Sequence, residues 1–425
     1  MSNDLKQSIY RLFSIHILLF ENFSIFHNIK PLSQKSKMAS SSNSMKKLRM
    51  GMIGGGPGAF IGAVHRTAAC LDGEIELVCG AFSSDPEKSY EMGKQLGLPT
   101  NRVYGSYKEM IEQEQKLGGM DFVAIVTPNH IHYEPAVLAL RAGFDVVLDK
   151  PICFSLDEAR QLSRIVNETG RTLCLTHTYT GYPMVKQARQ MIARNDLGLI
   201  RKVYVEYPQG WLSRDTINSK QAKWRLDPKQ SGLAGCLGDI GIHVFNLAEY
   251  ITGLRVTHVC ADLRTVVQGR QLDDDASVLL RFNNGANGVL MASQICAGEE
   301  NNLKIRVYGE NGSIEWQHAN CNTLTVRWLD SPAEIYRTGT EYLSQSAIHN
   351  ARVPAGHPEG YIEAFANIYR NFGRTIRAKK NGETSLSEEW KDFPGVKEGI
   401  RGMAFIETCV ANSKNDNEKW TELKE

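Results

Sequence analysis

The sequence predicts an α/β fold in which a doubly wound parallel sheet is followed by helices and a mostly antiparallel sheet. Three observations carry this expectation. From Leu48 to about Leu173 short apolar runs alternate with helical stretches, the order that a doubly wound sheet requires. Phe122 to Val126 and Phe144 to Leu148 are almost uninterrupted apolar runs, which suits parallel strands covered on both faces. Beyond about Thr176 the strands alternate polar with apolar and meet at Asn-Gly turns, the mark of antiparallel hairpins.

In the first region the strands are expected at 49–53, 75–80, 121–127 and 144–148. Helices are expected between them at 90–96, 107–115 and 134–141, with another at 156–168. A helix at 184–193 opens the second region. The run 276–282 turns at Asn283-Asn-Gly285 and returns as 288–293; 304–308 turns at Glu310-Asn-Gly312 into 313–316, and 323–328 follows. Late helices are read at 359–374 and 399–411.

The composition is that of an ordinary globular chain, 42% hydrophobic and 23% charged over 425 residues, with room for two domains. A formal charge of +2 gives no ground for nucleic acid or an anionic membrane as a partner. Nine cysteines form no Cys-x-x-Cys pair, and Cys79 and Cys174 lie inside apolar runs. Reduced, buried thiols of a cytoplasmic protein are therefore the better reading than disulfides or a metal site. Residues 1–46 stand apart. Ile9 to Phe26 is apolar but broken by Arg11, His16, Glu21 and Asn22, too polar for a spanning helix of about 20 residues and without a signal-peptide cleavage site. With a Ser-rich stretch after it and Met45 just ahead of the first strand, it reads as an extension, disordered or preceding the natural start; a targeting segment is the alternative.

The glycine turn after the first strand carries the first chemical signal. In Ile53-Gly-Gly-Gly-Pro-Gly-Ala-Phe-Ile-Gly62, the residues Gly54, Gly56 and Ala59 fit the pattern that binds a dinucleotide pyrophosphate at a helix N-terminus. Gly54 would make the tight turn, Gly56 would admit the phosphates, and Ala59 would let the helix pack on the strand. At the end of the second strand Gly80 stands where an acid would bind the adenosine ribose, with Ser83, Ser84 and Asp85 after it. No arginine stands there for a 2′-phosphate; the reading leans to NAD and leaves NADP open.

Three further motifs fall where such sheets bind ligands, at the carboxyl ends of strands, or on a helix of the second region. Thr127-Pro-Asn-His-Ile-His132 follows the third strand; Asn129 is a candidate cap for the next helix, and its two histidines lack the companions a metal needs. Asp149-Lys-Pro151 follows the fourth, where the Lys150 ammonium could orient a reacting hydroxyl. Gly238-Asp-Ile-Gly-Ile-His243 would place Asp239 and His243 on one helical face, with the imidazole as a proton acceptor or simply a buried histidine beside an Asp cap.

Glycine turn, Thr-Pro-Asn-x-x-His, Asp-Lys-Pro and Gly-Asp-x-Gly-x-His, in this order, resemble the Gfo/Idh/MocA oxidoreductases, the family of glucose–fructose oxidoreductase and inositol dehydrogenase. The likeness runs from Lys47 almost to the C-terminus. It implies a dinucleotide-binding Rossmann domain at 47–173 and, at 174–425, a C-terminal α/β domain whose large, mostly antiparallel sheet serves substrate binding and homo-oligomerisation as a dimer or tetramer. It further implies that Lys150, Asp239 and His243 are catalytic, with His243 the proton acceptor and Pro151 in the cis form. Asp149 replaces the glutamate more usual in that motif. Gly54, Gly56, Pro57, Ala59, Phe60, Ile61, Ser83, Ser84, Thr127, Asn129, His132, Asp149, Lys150, Trp224 and Arg225 would hold the cofactor. Lys150, Tyr179, Trp211, Asp239, His243 and Tyr361 would hold the substrate; Tyr179, Tyr182 and Trp211 read equally as a surface for a sugar ring or as core aromatics.

Within the family, the glycine turn and Thr176-His-Thr-Tyr-Thr-Gly-Tyr-Pro183 look most like dehydrogenases of glycosides and anhydrosugars. The expected reaction is oxidation of a secondary hydroxyl, at C3 of a pyranose, to a ketone. An inositol dehydrogenase or sugar reductase, or a dinucleotide-binding sensor without turnover, are the alternatives.

Overall fold

The computed structural model describes residues 46–214 and 220–425. The expected extension at 1–46 lies outside the described residues except for its last position.

The first region is a five-stranded parallel sheet in the order β2-β1-β3-β4-β5. Its strands are β1 (Leu48–Gly54), β2 (Ile75–Ala81), β3 (Phe122–Val126), β4 (Asp145–Leu148) and β5 (Leu173–Leu175). The helices between them are α1 (Phe60–Cys70), α2 (Pro86–Gln95), α3 (Tyr107–Leu117), α4 (Tyr133–Arg141) and α5 (Leu156–Thr169). Helix ends follow the local sequence: Ser106 and Ser155 accept the backbone N–H of Glu109 and Glu158, while Gly118 and Gly170 close α3 and α5 in the left-handed conformation. The fully buried pattern of β3 and β4 matches their apolar runs. Reading by pattern misses β5, whose three residues are too short for a periodic signal.

The second region opens with α6 (Pro183–Ala193) and is built on a nine-stranded sheet in the order β13-β12-β11-β10-β6-β9-β8-β7-β14. Its hairpin strands are β8 (Asp275–Phe282), β9 (Asn287–Ser293), β10 (Lys304–Tyr308), β11 (Gly312–Gln317) and β12 (Thr323–Trp328), with both Asn-Gly turns where expected. The remaining strands, β6 (Lys202–Pro208), β7 (Val256–Arg264), β13 (Glu334–Arg337) and β14 (Thr421–Glu422), complete it. All pairs are antiparallel except β6 with β9, which run parallel.

The other helices are α7 (Lys220–Arg225), α8 (Pro228–Ser231), α9 (Ile242–Thr252), α10 (Gln345–His349), α11 (Tyr361–Lys380), α12 (Glu388–Lys391) and α13 (Val396–Ser413). Helix α11 returns to the parallel sheet. Its Phe365, Tyr369, Phe372 and Ile376 join Met50, Met52, Phe122 and Ala124 in one buried cluster. Arg374 and Arg377 of the same helix grip Glu74, in the turn between α1 and β2, at 2.6 and 3.0 Å. The opposite face of the sheet is covered by α3, α4 and α5 through Met110, Ile111, Ala136, Leu140 and Leu162. Both faces of the sheet are thus sealed, and only its edges and strand ends remain for function.

Candidate active site

A cleft of about 1130 Å³ runs along the carboxyl ends of β1, β3 and β4 and under residues of the second region. Its size exceeds the ~300–1,000 Å³ of a single small-molecule site, so a dinucleotide and a substrate fit together.

The glycine turn forms one end. Gly54 has φ +87°, and a Cβ there would stand 2.9 Å from Val126 O; a Cβ on Gly56 would stand 2.6 Å from Phe82 O. Backbone atoms come this close, so neither position has room for a side chain. Helix α1 begins beyond it with no side-chain cap from Ala59, so its first N–H groups are left for an anionic ligand. These features fit a dinucleotide pyrophosphate. The closest helix-to-turn approach falls at Gly62, where a Cβ would lie 2.4 Å from Gly55 Cα. Gly62, rather than the expected Ala59, is the residue that allows this packing; Ala59 instead lines the cleft with Pro57, Phe60 and Ile61.

At the ribose end the strand outlasts the sequence expectation. Gly80 lies inside β2, and a Cβ there would meet the Phe82 ring at 2.2 Å, so it is a packing position rather than a vacant acid position. The residues that face the cleft are Ser83, Ser84 and Lys88. Asp85 turns to its own helix, accepting Glu87 N at 3.1 Å and pairing with Lys88 at 2.9 Å.

Thr127, Asn129, Asp149 and Lys150 line the floor as expected. Asn129 does not cap α4; its amide donates to Ser231 O at 2.9 Å, tying the turn after β3 to α8. His132 is a correction as well. It is 1% exposed, stands behind the cleft, and its ring nitrogens lie 2.7 Å from Pro151 O and 2.9 Å from Thr127 O. It thereby braces the backbone on either side of Lys150 instead of meeting a ligand. The Lys150–Pro151 bond is cis. Asp149 accepts Lys150 N at 2.9 Å and the Thr176 hydroxyl at 2.8 Å, which joins β4 to β5 beneath the lysine.

The charged centre is Asp239. Lys150 Nζ donates to its Oδ1 at 2.9 Å and its backbone oxygen at 2.6 Å. Arg225 Nε at 3.1 Å and Gln294 Nε2 at 2.9 Å satisfy Oδ2. Burial alone would raise this carboxyl, but Arg225 and Lys150 outweigh it and hold it well below the usual carboxylate range. Asp239 sits in a π-helical turn, Leu237–Gly241, that precedes α9. Such turns occur often at functional sites, and this one replaces the regular helix expected there. The hydrogen bonds of Asp239 accordingly go to Lys150, Arg225 and Gln294 rather than to His243.

His243 lines the cleft, with Nδ1 buried and unpartnered. Its ring meets Tyr179 and His177 edge to face, at centroid distances of 5.1 and 5.5 Å. Burial, then Lys150 and His177, push its pKa far below the ordinary imidazole value, against a smaller pull from Asp239. These influences favour the neutral imidazole. His177 is enclosed as well: 1% exposed, with both ring nitrogens unpartnered, it is pushed by burial down to about 3.

Tyr179, Trp211, Trp224, Arg225 and Tyr361 all line the cleft; Tyr182 does not, and is a core aromatic against Trp316. Arg225 stacks over the Trp224 ring at 4.3 Å. Sequence reasoning missed Tyr207, Gln209, Asn301 and His318, which line the same end. They come from the end of β6 and from two loops, and only the polar residues that close the run Lys202–Pro208 carried a signal of strand-end position.

A phosphate-binding turn and a Lys–Asp pair beside a neutral imidazole, in one cleft, define a dinucleotide-dependent oxidoreductase. Residues 48–177 match the family model described as "Oxidoreductase family, NAD-binding Rossmann fold", and residues 185–315 match the "GFO/IDH/MocA C-terminal domain". The chain is 34% identical to the uncharacterized oxidoreductase YfiI of Bacillus subtilis, over 89% of this chain and 98% of the relative. It is 26% identical to levoglucosan dehydrogenase of Pseudarthrobacter phenanthrenivorans, over 84% of this chain and 90% of that one. An inositol dehydrogenase homolog from Azotobacter vinelandii, solved in complex with NAD+, superposes with a TM-score of 0.84 at 34% identity, covering 89% of this chain and 97% of that one. The chain belongs to the Gfo/Idh/MocA family of NAD-binding oxidoreductases. No described helix is long and apolar enough to cross a membrane.

Proposed function

We propose that the protein is a cytoplasmic NAD-dependent dehydrogenase that oxidises a secondary ring hydroxyl of a sugar, glycoside or cyclitol to a ketone, C3 of a pyranose being the favoured position. The observation that carries this reading is the Lys150–Asp239 pair beside His243, in the cleft that also holds the glycine turn. Bound at that turn, NAD supplies the hydride acceptor for the carbinol C–H.

The chain's own residues would do the rest. The ammonium of Lys150, fixed in direction by two bonds to Asp239, polarises the hydroxyl oxygen and stabilises negative charge there as the C–H bond breaks. His243, held neutral, accepts the hydroxyl proton, so that loss of hydride and proton together leaves the ketone. Asp239 aims Lys150 and stays ionised throughout. Gly54, Gly56, Pro57, Ala59, Phe60, Ile61, Ser83, Ser84, Thr127, Asn129, Asp149, Trp224 and Arg225 form the cofactor side. Tyr179, Trp211 and Tyr361 form the substrate side. In this reading the cofactor part is 47–173 and the substrate and association part is 174–425. The uncovered face of the nine-stranded sheet, which exposes Tyr204, Leu279 and Tyr308, is offered to a homo-oligomer.

NADH formation followed by absorbance against methyl glucosides, levoglucosan and inositols tests the reading, with the position of the ketone read from the product by NMR. Reduction of NAD with one of these polyols is the expected result. Firm NAD binding with no turnover of any of them would remove the dehydrogenase assignment.

A further inference from the structure

At the end of the cleft away from the glycine turn, hydrogen bonds run in a chain whose direction follows atom by atom. The Trp211 indole N–H, which can only donate, gives to Gln209 Oε1 at 3.0 Å. That fixes the Gln209 amide, whose Nε2 then donates to Asn301 Oδ1 at 2.7 Å. The Tyr207 hydroxyl donates to the same oxygen at 2.6 Å. Having given its one proton to Asn301, Tyr207 is the acceptor in its close contact with the Tyr179 hydroxyl. Behind them His318 holds the assembly, with Nδ1 3.1 Å from Asn301 O and Nε2 2.9 Å from the Tyr182 hydroxyl.

What the chain leaves unused faces the cleft. Asn301 Nδ2 has only long contacts, 3.4 Å to Tyr179 and 3.4 Å to His318. One proton of Gln209 Nε2 and a lone pair of Tyr179 are also uncommitted. These are donors and acceptors side by side, all uncharged. The lysine and arginine side chains among the described lining residues are already paired with carboxylates: Lys88 with Asp85, and Lys150 and Arg225 with Asp239, the Arg225 guanidinium lying 5.9 Å from the Trp211 ring.

We propose that Tyr179, Tyr207, Gln209 and Asn301, set in direction by Trp211, form a specificity subsite that selects an uncharged polyol and rejects its phosphorylated or carboxylated counterparts. A ring hydroxyl both donates and accepts, and so pairs with the Asn301 amide and the Tyr179 oxygen at once. A phosphate dianion only accepts; it would lose its water and meet amide protons beside the Tyr179 lone pair, while the described cations of the cleft are already paired with carboxylates. The inference rests on the polyol dehydrogenase reading above and narrows it.

The test compares D-glucose with glucose 6-phosphate, and myo-inositol with its monophosphate, by NADH formation. The neutral member is expected to have a kcat/KM at least about 100-fold higher, because the buried subsite cannot pair a dianion. Equal or better turnover of a phosphorylated member would overturn the subsite while leaving the dehydrogenase reading intact. Absence of turnover with all four and with the methyl glucosides and levoglucosan, with NAD still bound, would remove both. Trp211→Phe keeps the aromatic face but frees the Gln209 amide to reverse; KM for the neutral substrate should rise about tenfold, with NADH affinity unchanged by fluorescence titration. Gln209→Glu, which sets a carboxylate oxygen against Asn301 Oδ1, should do the same by a second route. Unchanged KM in both folded variants would refute the relay.

Discussion

Replacing Lys150 by Met tests the centre of the proposed site, because Met keeps most of the side-chain volume and removes only the ammonium. The ammonium makes two hydrogen bonds to Asp239, and each side chain of the pair is 15% exposed. In the variant Asp239 keeps Arg225 and Gln294 on Oδ2, while Oδ1 loses its partner. Breaking a buried pair from one side costs about 3–5 kcal/mol, and the surviving Arg225 places this case at about 3 kcal/mol. Urea unfolding followed by fluorescence would show that loss as a lower midpoint at unchanged slope. Activity should fall further than stability: loss of one positioned charge at a reacting oxygen removes about 10²–10³ in kcat. NADH affinity should fall far less. A Lys150→Met enzyme that unfolds within about 1 kcal/mol of the wild type would refute the pairing argument. One that keeps kcat within tenfold would refute the role of the ammonium.

Two pH predictions follow from the buried imidazoles. His243 must be neutral to accept a proton, and its pKa is lowered from 6.5, so the acid limb of kcat/KM should lie below pH 6.5; a limb above pH 7 that disappears with His243→Ala would contradict the assignment. His177 is lowered from 6.5 to about 3, so on acidification the unfolded chain takes up a proton that the folded chain refuses. Its contribution therefore weakens stability as pH falls from 6.5 towards 3, and His177→Phe should flatten the fall in unfolding free energy over that window; an unaltered slope would sink the argument.

Much of the fold was legible because the deciding signals are local. The glycine turn, the apolar runs of β3 and β4 and the two Asn-Gly hairpins each owe their form to neighbours within a few residues. The charged centre was legible for another reason: Lys150 directly follows a strand, and Asp239 with His243 forms a short motif. What escaped depends on distant parts of the chain meeting. Tyr207, Gln209, Asn301 and His318 are ordinary polar residues where they stand, and become a subsite only when β6 and two loops converge. The π-helical turn at Asp239 and the bracing role of His132 are likewise invisible to spacing, since each depends on which backbone oxygen lies opposite. The acid position at Gly80 misled because the strand runs on to Ala81.

The return of α11 to the parallel sheet bears on how the chain is made. A ribosome that has released residues up to 177 has delivered every strand of the parallel sheet, yet Met50, Met52 and Phe122 on one face still lack Phe365, Tyr369 and Phe372. Those partners emerge only with residues 361–380, after the whole antiparallel sheet except its last short strand has appeared. The nucleotide-binding half is first in sequence and among the last parts to be finished. During synthesis its apolar face must therefore wait, open to chaperones and to neighbouring chains, until nearly the entire protein exists.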